Sequence, residues 1–321
     1  MNDLTRREFI HGAALAAVAT GIACDIRSMT RAEVAKGCKM TLDLVCGNLG
    51  VSANQREAIE LAARHGFASV GADGGYLASL TDDQMAELKS FLRTKGVVFG
   101  AAGLPLEFRG DEDRFRESLK TLPRFAAGLK QAGVDRVTTW LNPCDDKLTY
   151  VQNFRQHTSR LREAAKVLKD YGARLGLEYV GPKTSWASRR YPFIHTMGEL
   201  KDLIAEINVG NIGFVLDSWH WWHAGDTVQD VLSLKASEVI AVDLNDAPAG
   251  IPKDQQVDGR RELPCATGAI DVGAFLNALR QIGYDGPVRA EPFNQAVRRM
   301  TKDDACEAAS VALKKAFALL S

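Results

Sequence analysis

Along most of this chain, short apolar runs alternate with longer stretches of helical period. Eight runs have the length of buried strands: "TLDLVCG", "ASVGADG", "VVFGAAGLP", "RVTTWLNP", "LGLEYVGP", "GFVLDSWH", "VIAVDLND" and "PVRAEPF". Between them lie amphipathic stretches such as "NQREAIELAARHG", "TDDQMAELKSFLRTKG", "TSRLREAAKVLKDYG" and "DVGAFLNALRQIG". Several close on glycine, a usual helix stop, and Thr81 ahead of "DDQ" suits an N-cap. Strands alternating with helices predict an α/β protein, a (β/α)8 barrel forming one domain over residues 40–321. An open doubly wound sheet is the competing architecture. No GxGxxG opens the first strand-to-helix turn, which weakens its dinucleotide-binding form. The stretch from Asp246 to Thr267 has little periodicity, and so long a loop in a compact domain reads as a functional lid.

The N-terminus breaks the pattern. Arg6-Arg7 precede Phe9-Ile10 and a weakly apolar run in "TRREFIHGAALAAVATGIAC". Residues 1–30 therefore read as a twin-arginine export signal, with 31–39 as a linker and a periplasmic destination. An ordinary N-terminal helix is the competing reading. A lipoprotein cleavage site at Cys24 is a lesser one, since Gly21 stands where leucine is usual. No apolar stretch of about twenty residues occurs in the body of the chain, so no membrane span is expected there.

Composition narrows the function classes. Forty basic residues balance forty acidic ones, without Lys/Arg runs, which argues against a nucleic-acid partner. The six cysteines show no CxxC spacing, so a zinc ribbon or thioredoxin-type site is unsupported.

Barrel enzymes place their reacting groups at the C-terminal ends of the strands. Here the last four strand candidates carry Glu178, Asp217, Asp243 (with Asp246 three on) and Glu291 at those ends. In a closed barrel they converge on one mouth. Converged carboxylates raise each other's proton affinity unless a positive charge sits among them, and a divalent cation is the natural one. For any single acid, capping the next helix or pairing with an arginine is the bland alternative. The run "FVLDSWHWWHAGD" follows Asp217 with His220 and His223 and with Trp219, Trp221 and Trp222. Tryptophans suit the apolar walls of a pocket, and Trp140 and Trp186 would add to that wall. The bland alternative is that they fill gaps between loops. Lys183 and His195 lie on the loop after the fifth strand, as substrate contacts or as a surface lysine and a satisfied histidine. Glu107 and Arg109 after the third strand suit an internal ion pair as well as substrate binding.

Glu at the fifth strand, Asp with His three later at the sixth, "DLND" at the seventh and Glu at the eighth together resemble the xylose-isomerase-like TIM-barrel superfamily. That group includes sugar isomerases, ketose 3-epimerases, inosose dehydratases and endonuclease-IV-like proteins. The resemblance spans roughly residues 40–321. It implies that Glu178, Asp217, Asp243 and Glu291 hold Mn²⁺, Mg²⁺ or Co²⁺, and that His220 contacts substrate. An arginine ahead of a "PGxG"-like segment in relatives matches Arg261 in "RELPCATG", with Cys265 replacing a glycine. One position departs. Relatives place His where Asp243 stands, which gives a harder, all-oxygen site and favours Mn²⁺ or Mg²⁺ over Zn²⁺. Asp246 or a histidine of "WHWWH" would be the substitute ligand. The implied activity is metal-dependent isomerisation or epimerisation of a sugar or keto-sugar through an enediolate, with Glu178 and Glu291 moving the proton. The same intermediate serves a lyase or dehydratase of 3-keto-sugars or keto-glycosides. A non-catalytic carbohydrate-binding barrel would keep the aromatic wall without the metal. A zinc endonuclease fits poorly with six histidines and zero net charge. The expected partner is a small sugar, and a homo-oligomer is compatible with the sequence.

Overall fold

The computed structural model describes residues 39–321; the expected export signal and all but the last residue of the expected linker lie outside the described residues. The eight strand candidates become β1 (Thr41–Leu44), β2 (Ser69–Ala72), β3 (Val98–Gly103), β4 (Arg136–Trp140), β6 (Arg174–Glu178), β8 (Ile212–Asp217), β9 (Val239–Leu244) and β10 (Pro287–Ala290). Two further short strands, β5 (Cys144–Asp145) and β7 (Tyr191–Pro192), pair antiparallel above the mouth. The eight main strands form a closed barrel in the order β1-β2-β3-β4-β6-β8-β9-β10, and every neighbouring pair is parallel. β10 pairs back onto β1, so no edge remains, and the open doubly wound sheet is excluded.

Helices wrap the outside because their apolar faces need a sheet to cover. Their starts follow local chemistry. Thr81 caps the helix Asp82–Lys95 in a reciprocal capping box with Gln84, as predicted. Asn54 does the same with Glu57 for the helix Gln55–Arg64.

Inside the barrel, side chains alternate along each strand. A small apolar layer of Ala101, Val215 and Ala241 lies one pleat below Asp217 and Asp243. Above it the register places charged residues side by side: Asp217 is the Cα partner of Asp243, Asp243 of Arg289, and Arg289 of Asp43. Gly100 on β3 makes room for this layer, since a Cβ there would come within 2.4 Å of the Asp43 carboxylate.

The expected lid has internal structure. Asp246 and Glu262 form an antiparallel bridge, and Lys253–Gln255 forms a 3-10 turn. Lys183 pairs with Asp254 at 2.8 Å, and the Thr184 hydroxyl donates to the Gln256 carbonyl at 2.7 Å. The loop is thereby tied to the segment that follows β6.

Candidate active site at the barrel mouth

β6 ends at Glu178, β8 at Asp217, and β10 runs directly into Glu291. The sequence-predicted acids do converge. One ligand atom each from Glu178, Asp217 and His220 lie within 4.8 Å of one another, as do those of Glu178, Asp243 and Glu291. Asp217 and Asp243 are each 1% exposed, whereas the side chains of Glu178 and Glu291 keep 13% and 16%. The two glutamates are the members of the group that a ligand in the mouth can reach.

Each acid has a distinct set of partners. Asp243 gives both oxygens to the Arg289 guanidinium, at 2.6 and 2.9 Å. That bidentate pair was not foreseen for the position predicted as third metal ligand. Asp217 accepts from the Asn245 amide at 2.9 Å and the Trp219 backbone N–H at 2.8 Å through Oδ1, and from Arg261 at 2.7 Å through Oδ2. Glu291 accepts from the same Arg261 nitrogen at 2.9 Å, and its backbone N–H donates to Asn245 Oδ1. Glu178 Oε1 is buried without any hydrogen-bond partner among the described residues.

Arg261 reaches this cluster from the lid. It is 1% exposed, and Asp258 holds its other terminal nitrogen at 2.9 Å. That nitrogen also lies 3.2 Å from His220 Nε2. The Gly181 backbone N–H donates to His220 Nδ1 at 3.3 Å. A neutral imidazole has a lone pair on only one ring nitrogen, so it cannot accept at both. Both ring nitrogens therefore face donors, Nε2 the charged Arg261 guanidinium and Nδ1 the Gly181 N–H, and the neutral ring accepts at one of them. Nε2 also faces Asp217, Asp258 and Glu178 oxygens at 3.8, 3.9 and 4.0 Å, all beyond hydrogen-bond reach.

Electrostatics follow from burial and crowding. Burial raises Glu178 well above the usual carboxyl range, and the Glu291 and Asp217 charges add to this. Burial, then the neighbouring Asp243, pushes Glu291 to about 8. Asp217 is raised to about 6, chiefly by burial, with Arg261 opposing. Burial and then Arg261 lower His220 to about 3, which keeps the ring neutral. Burial opposes the charge on Arg261, but Asp217, Asp258 and Glu291 outweigh it and raise its pKa.

The remaining predicted residues separate clearly. Trp140 is 47% exposed and lines the mouth, its ring covered by Arg109 at 4.3 Å. Arg109 also donates to the Thr139 hydroxyl and the Trp140 carbonyl rather than forming an ion pair with Glu107. Trp219 and Trp221 are buried in the core, and Lys253 covers Trp222, so the aromatic wall is Trp140 with Phe293 instead of the "WHWWH" tryptophans. Asp246 is spent inside the lid: its oxygens accept from the backbone N–H groups of Ala247, Ile270, Thr267 and Gly268. It pins the loop and has no face left for substrate. Lys183 sits in its exposed pair with Asp254. His195 stacks on Trp186 at 4.7 Å and bonds the Phe193 carbonyl at 2.7 Å. Neither lines the mouth. Asn245, Asp258, Arg289 and Asp43 were not singled out from the sequence. Strand alternation carries a signal for two of them: Arg289 lies two residues before Glu291, in the same inward phase, and Asp43 interrupts the apolar run of β1.

The sequence model of the xylose isomerase-like TIM barrel family matches residues 59–315. The chain belongs to that family. Among curated relatives, it is 23% identical over 265 residues to inosose isomerase of Bacillus velezensis, covering 80% of this chain and 90% of that protein. It is 24% identical over 188 residues to 3-dehydroshikimate dehydratase of Pseudomonas aeruginosa, covering 58% of this chain and 28% of that protein. A xylose isomerase domain protein from Alicyclobacillus acidocaldarius superposes with a TM-score of 0.77 at 31% identity, covering 87% of this chain and 99% of the other. The IOLI protein, solved with a bound zinc atom, superposes with a TM-score of 0.72 at 22% identity, over 87% of this chain and 98% of that one.

Proposed function

We propose that this protein is a divalent-metal-dependent isomerase or epimerase of a sugar or keto-sugar, working by proton abstraction next to a carbonyl. The observation that carries this reading is the pair Glu178 and Glu291. They are partly exposed carboxyls at the mouth, both with raised proton affinity, beside a buried acid cluster.

The residues fit a cation. Glu178 Oε1 is buried without a donor, and carboxylates outnumber the two guanidinia that face them. Glu178 would hold the ion with Asp217 and His220, or with Asp243 and Glu291. Asp217 and Asp243 would each give up an arginine contact to do so. Oxygen donors favour Mn²⁺ or Mg²⁺ over softer ions. The bound ion would supply Lewis-acid stabilisation of an enediolate. The zinc of the IOLI protein and the inosose isomerase relatives support a metal site and a polyol-like substrate.

This chain's own residues supply the proton chemistry. In the metal-free site burial pushes Glu291 to about 8; a bound cation would lower this and leave the carboxylate to act first as a base. Glu178 and Glu291 stand on different strands around the mouth, so removal by one and return by the other would invert the carbon. His220, lining the mouth beside Arg261, would contact a substrate oxygen. Arg261 donates beside it and excludes water from the floor.

A dehydratase is the second reading, favoured by the 3-dehydroshikimate dehydratase relatives. It uses the same abstraction, followed by loss of a β-hydroxyl. Export by the twin-arginine route remains our reading of residues 1–30, and secretion of a reporter fused to them would test it.

The test is solvent exchange. Wild-type protein with Mn²⁺ in D₂O should incorporate deuterium next to the carbonyl of a keto-sugar. Glu178→Gln and Glu291→Gln should each lower this on the order of 10³-fold. Exchange at near-wild-type rates in either variant rules out the assignment. Elemental analysis should find a divalent metal in wild type and none in Asp217→Ala.

A further inference from the structure

Beneath the mouth, one carboxylate has no task in the arrangement described so far. Asp43 projects from β1 into the barrel and is 1% exposed. Neither of its oxygens accepts a hydrogen bond among the described residues. The hydroxyl of Ser69, its register neighbour on β2, is engaged with Thr41 at 2.9 Å. A carboxylate buried without donors is costly to keep. The fold nevertheless makes room for it, because Gly100 on β3 stands where a Cβ would come within 2.4 Å of the Asp43 carboxylate. A costly charge and the glycine that accommodates it point to a second arrangement of the site in which the charge is paired.

The register names the partner. Arg289 stands between two aspartates, with Asp43 as its Cα partner on β1 and Asp243 as its Cα partner on β9. Its guanidinium gives Nε and one terminal nitrogen to Asp243, at 2.6 and 2.9 Å. Two anions therefore flank one cation, and that edge of the guanidinium engages one carboxylate at a time. Arg289 also lines the mouth cavity of about 410 Å³, together with Glu178 and Glu291. Asp243 belongs with those two glutamates to a group whose ligand atoms converge within 4.8 Å. It can offer an oxygen to a cation only by loosening its hold on Arg289. A buried guanidinium left without an acceptor would oppose that step. The lid side shows the same arrangement already provided for: Arg261 holds Asp217 at 2.7 Å and has Asp258 at 2.9 Å as a further acceptor. Asp258 and Asp43 are both outside the two convergent groups, so each is free to keep an arginine paired.

We propose that Asp43 is the reserve acceptor of Arg289: when a divalent cation takes an oxygen of Asp243, the guanidinium turns to Asp43 and stays paired. Asp43 is then a positioning residue, acting on the cation through Arg289 and Asp243 without touching it. Both pairings lie within the barrel register, so the strands keep their places during the exchange. The inference rests on the metal-dependent reading of the site.

The test is cation binding, without turnover. Mn²⁺ is titrated by calorimetry into chelator-treated full-chain protein, wild type beside Asp43→Asn, which keeps the shape of the side chain and removes its charge. The variant should bind roughly tenfold more weakly or worse. Its thermal midpoint in chelator should be no lower than that of wild type, because no hydrogen bond to Asp43 is lost. Equal affinities overturn the proposal. A weaker affinity together with a lowered midpoint in chelator also overturns it, since Asp43 would then serve the fold alone. A second measurement needs no variant to fold. In wild type saturated with whichever of the diamagnetic ions Mg²⁺ and Zn²⁺ it binds, the NMR resonance of the Arg289 Nε–H should move from its position in chelator. An unmoved resonance overturns the exchange. A wild-type protein that binds none of these ions removes the metal-dependent reading itself, and the proposal with it.

Discussion

Two buried arginines face the same carboxylate cluster and are held in opposite ways. Arg289 projects from β10, and its guanidinium is engaged bidentately by one partner, Asp243, which is its register neighbour on β9. Arg261 comes from the lid and divides its donors among Asp217, Glu291 and Asp258. The first pair joins side chains that barrel register keeps as neighbours. The second depends on where a loop rests. A strand-borne charge pair of this kind belongs to the scaffold, and a loop-borne one belongs to the chemistry. Activity and stability should therefore separate between the two positions.

Removing the scaffold arginine should have the largest effect. Arg289→Met leaves Asp243 buried beside Asp43, whose two oxygens already lack hydrogen-bond partners among the described residues. Breaking a buried pair from one side costs about 3–5 kcal/mol, read as a lower midpoint in urea or heat. The double variant Arg289→Met/Asp243→Leu should recover most of the loss, because neither charge is then stranded. If the single variant unfolds like wild type, the pair is not part of the scaffold and the contrast fails.

Why the sequence disclosed one arginine and hid the other is a matter of what each pattern records. Glu178, Asp217 and Glu291 stood out because a charge that ends an apolar strand run is anomalous in one dimension. The barrel was legible for the same reason, since strand runs and helical periods alternate without interruption. Arg289 and Asp43 occupy inward positions in mid-strand, and their standing side by side depends on which strand becomes whose neighbour. That is settled only when β10 closes onto β1. Asp246 misled in the opposite sense. It stands beside the active residues in "DLND", yet its oxygens turn to four backbone N–H groups, two in the lid and two just past its end. A loop must satisfy its own backbone before it can present anything else. The tryptophans of "SWHWWH" misled because a short helix, Ser218–Ala224, points most of them into the core.

Changing the lid arginine should show the reverse balance. Arg261→Gln removes the donor shared by Asp217 and Glu291 but leaves a polar group that can still bond one of them. Turnover should fall about 10–100-fold, equivalent to about 1.4–2.8 kcal/mol in the barrier. The unfolding midpoint should move far less than in Arg289→Met. A variant with full activity and a collapsed midpoint would exchange the roles of the two residues.

The finest distinction is electrical. His220 is held at about 3 first by burial and second by the Arg261 charge. Arg289 is not among the groups that depress it. In chelator-treated protein, an NMR titration of the imidazole should give a higher His220 pKa in Arg261→Gln than in wild type. It should stay below 6.5, because burial, the larger cause, remains. The Asp243→Asn variant, which neutralises the Arg289 partner instead, should leave the value close to wild type. The sign for stability follows from proton counting. Between the unfolded value of about 6.5 and the folded value of about 3, the unfolded chain binds the extra proton, so His220 makes the fold less stable as pH falls. Raising the folded value narrows that window from below. Arg261→Gln should therefore lose less stability than wild type between pH 6 and 4, on top of whatever offset it carries at neutral pH. Parallel pH curves for the two proteins would mean that the lid guanidinium does not reach His220 in solution, and the contrast between the arginines would reduce to their bonding partners alone.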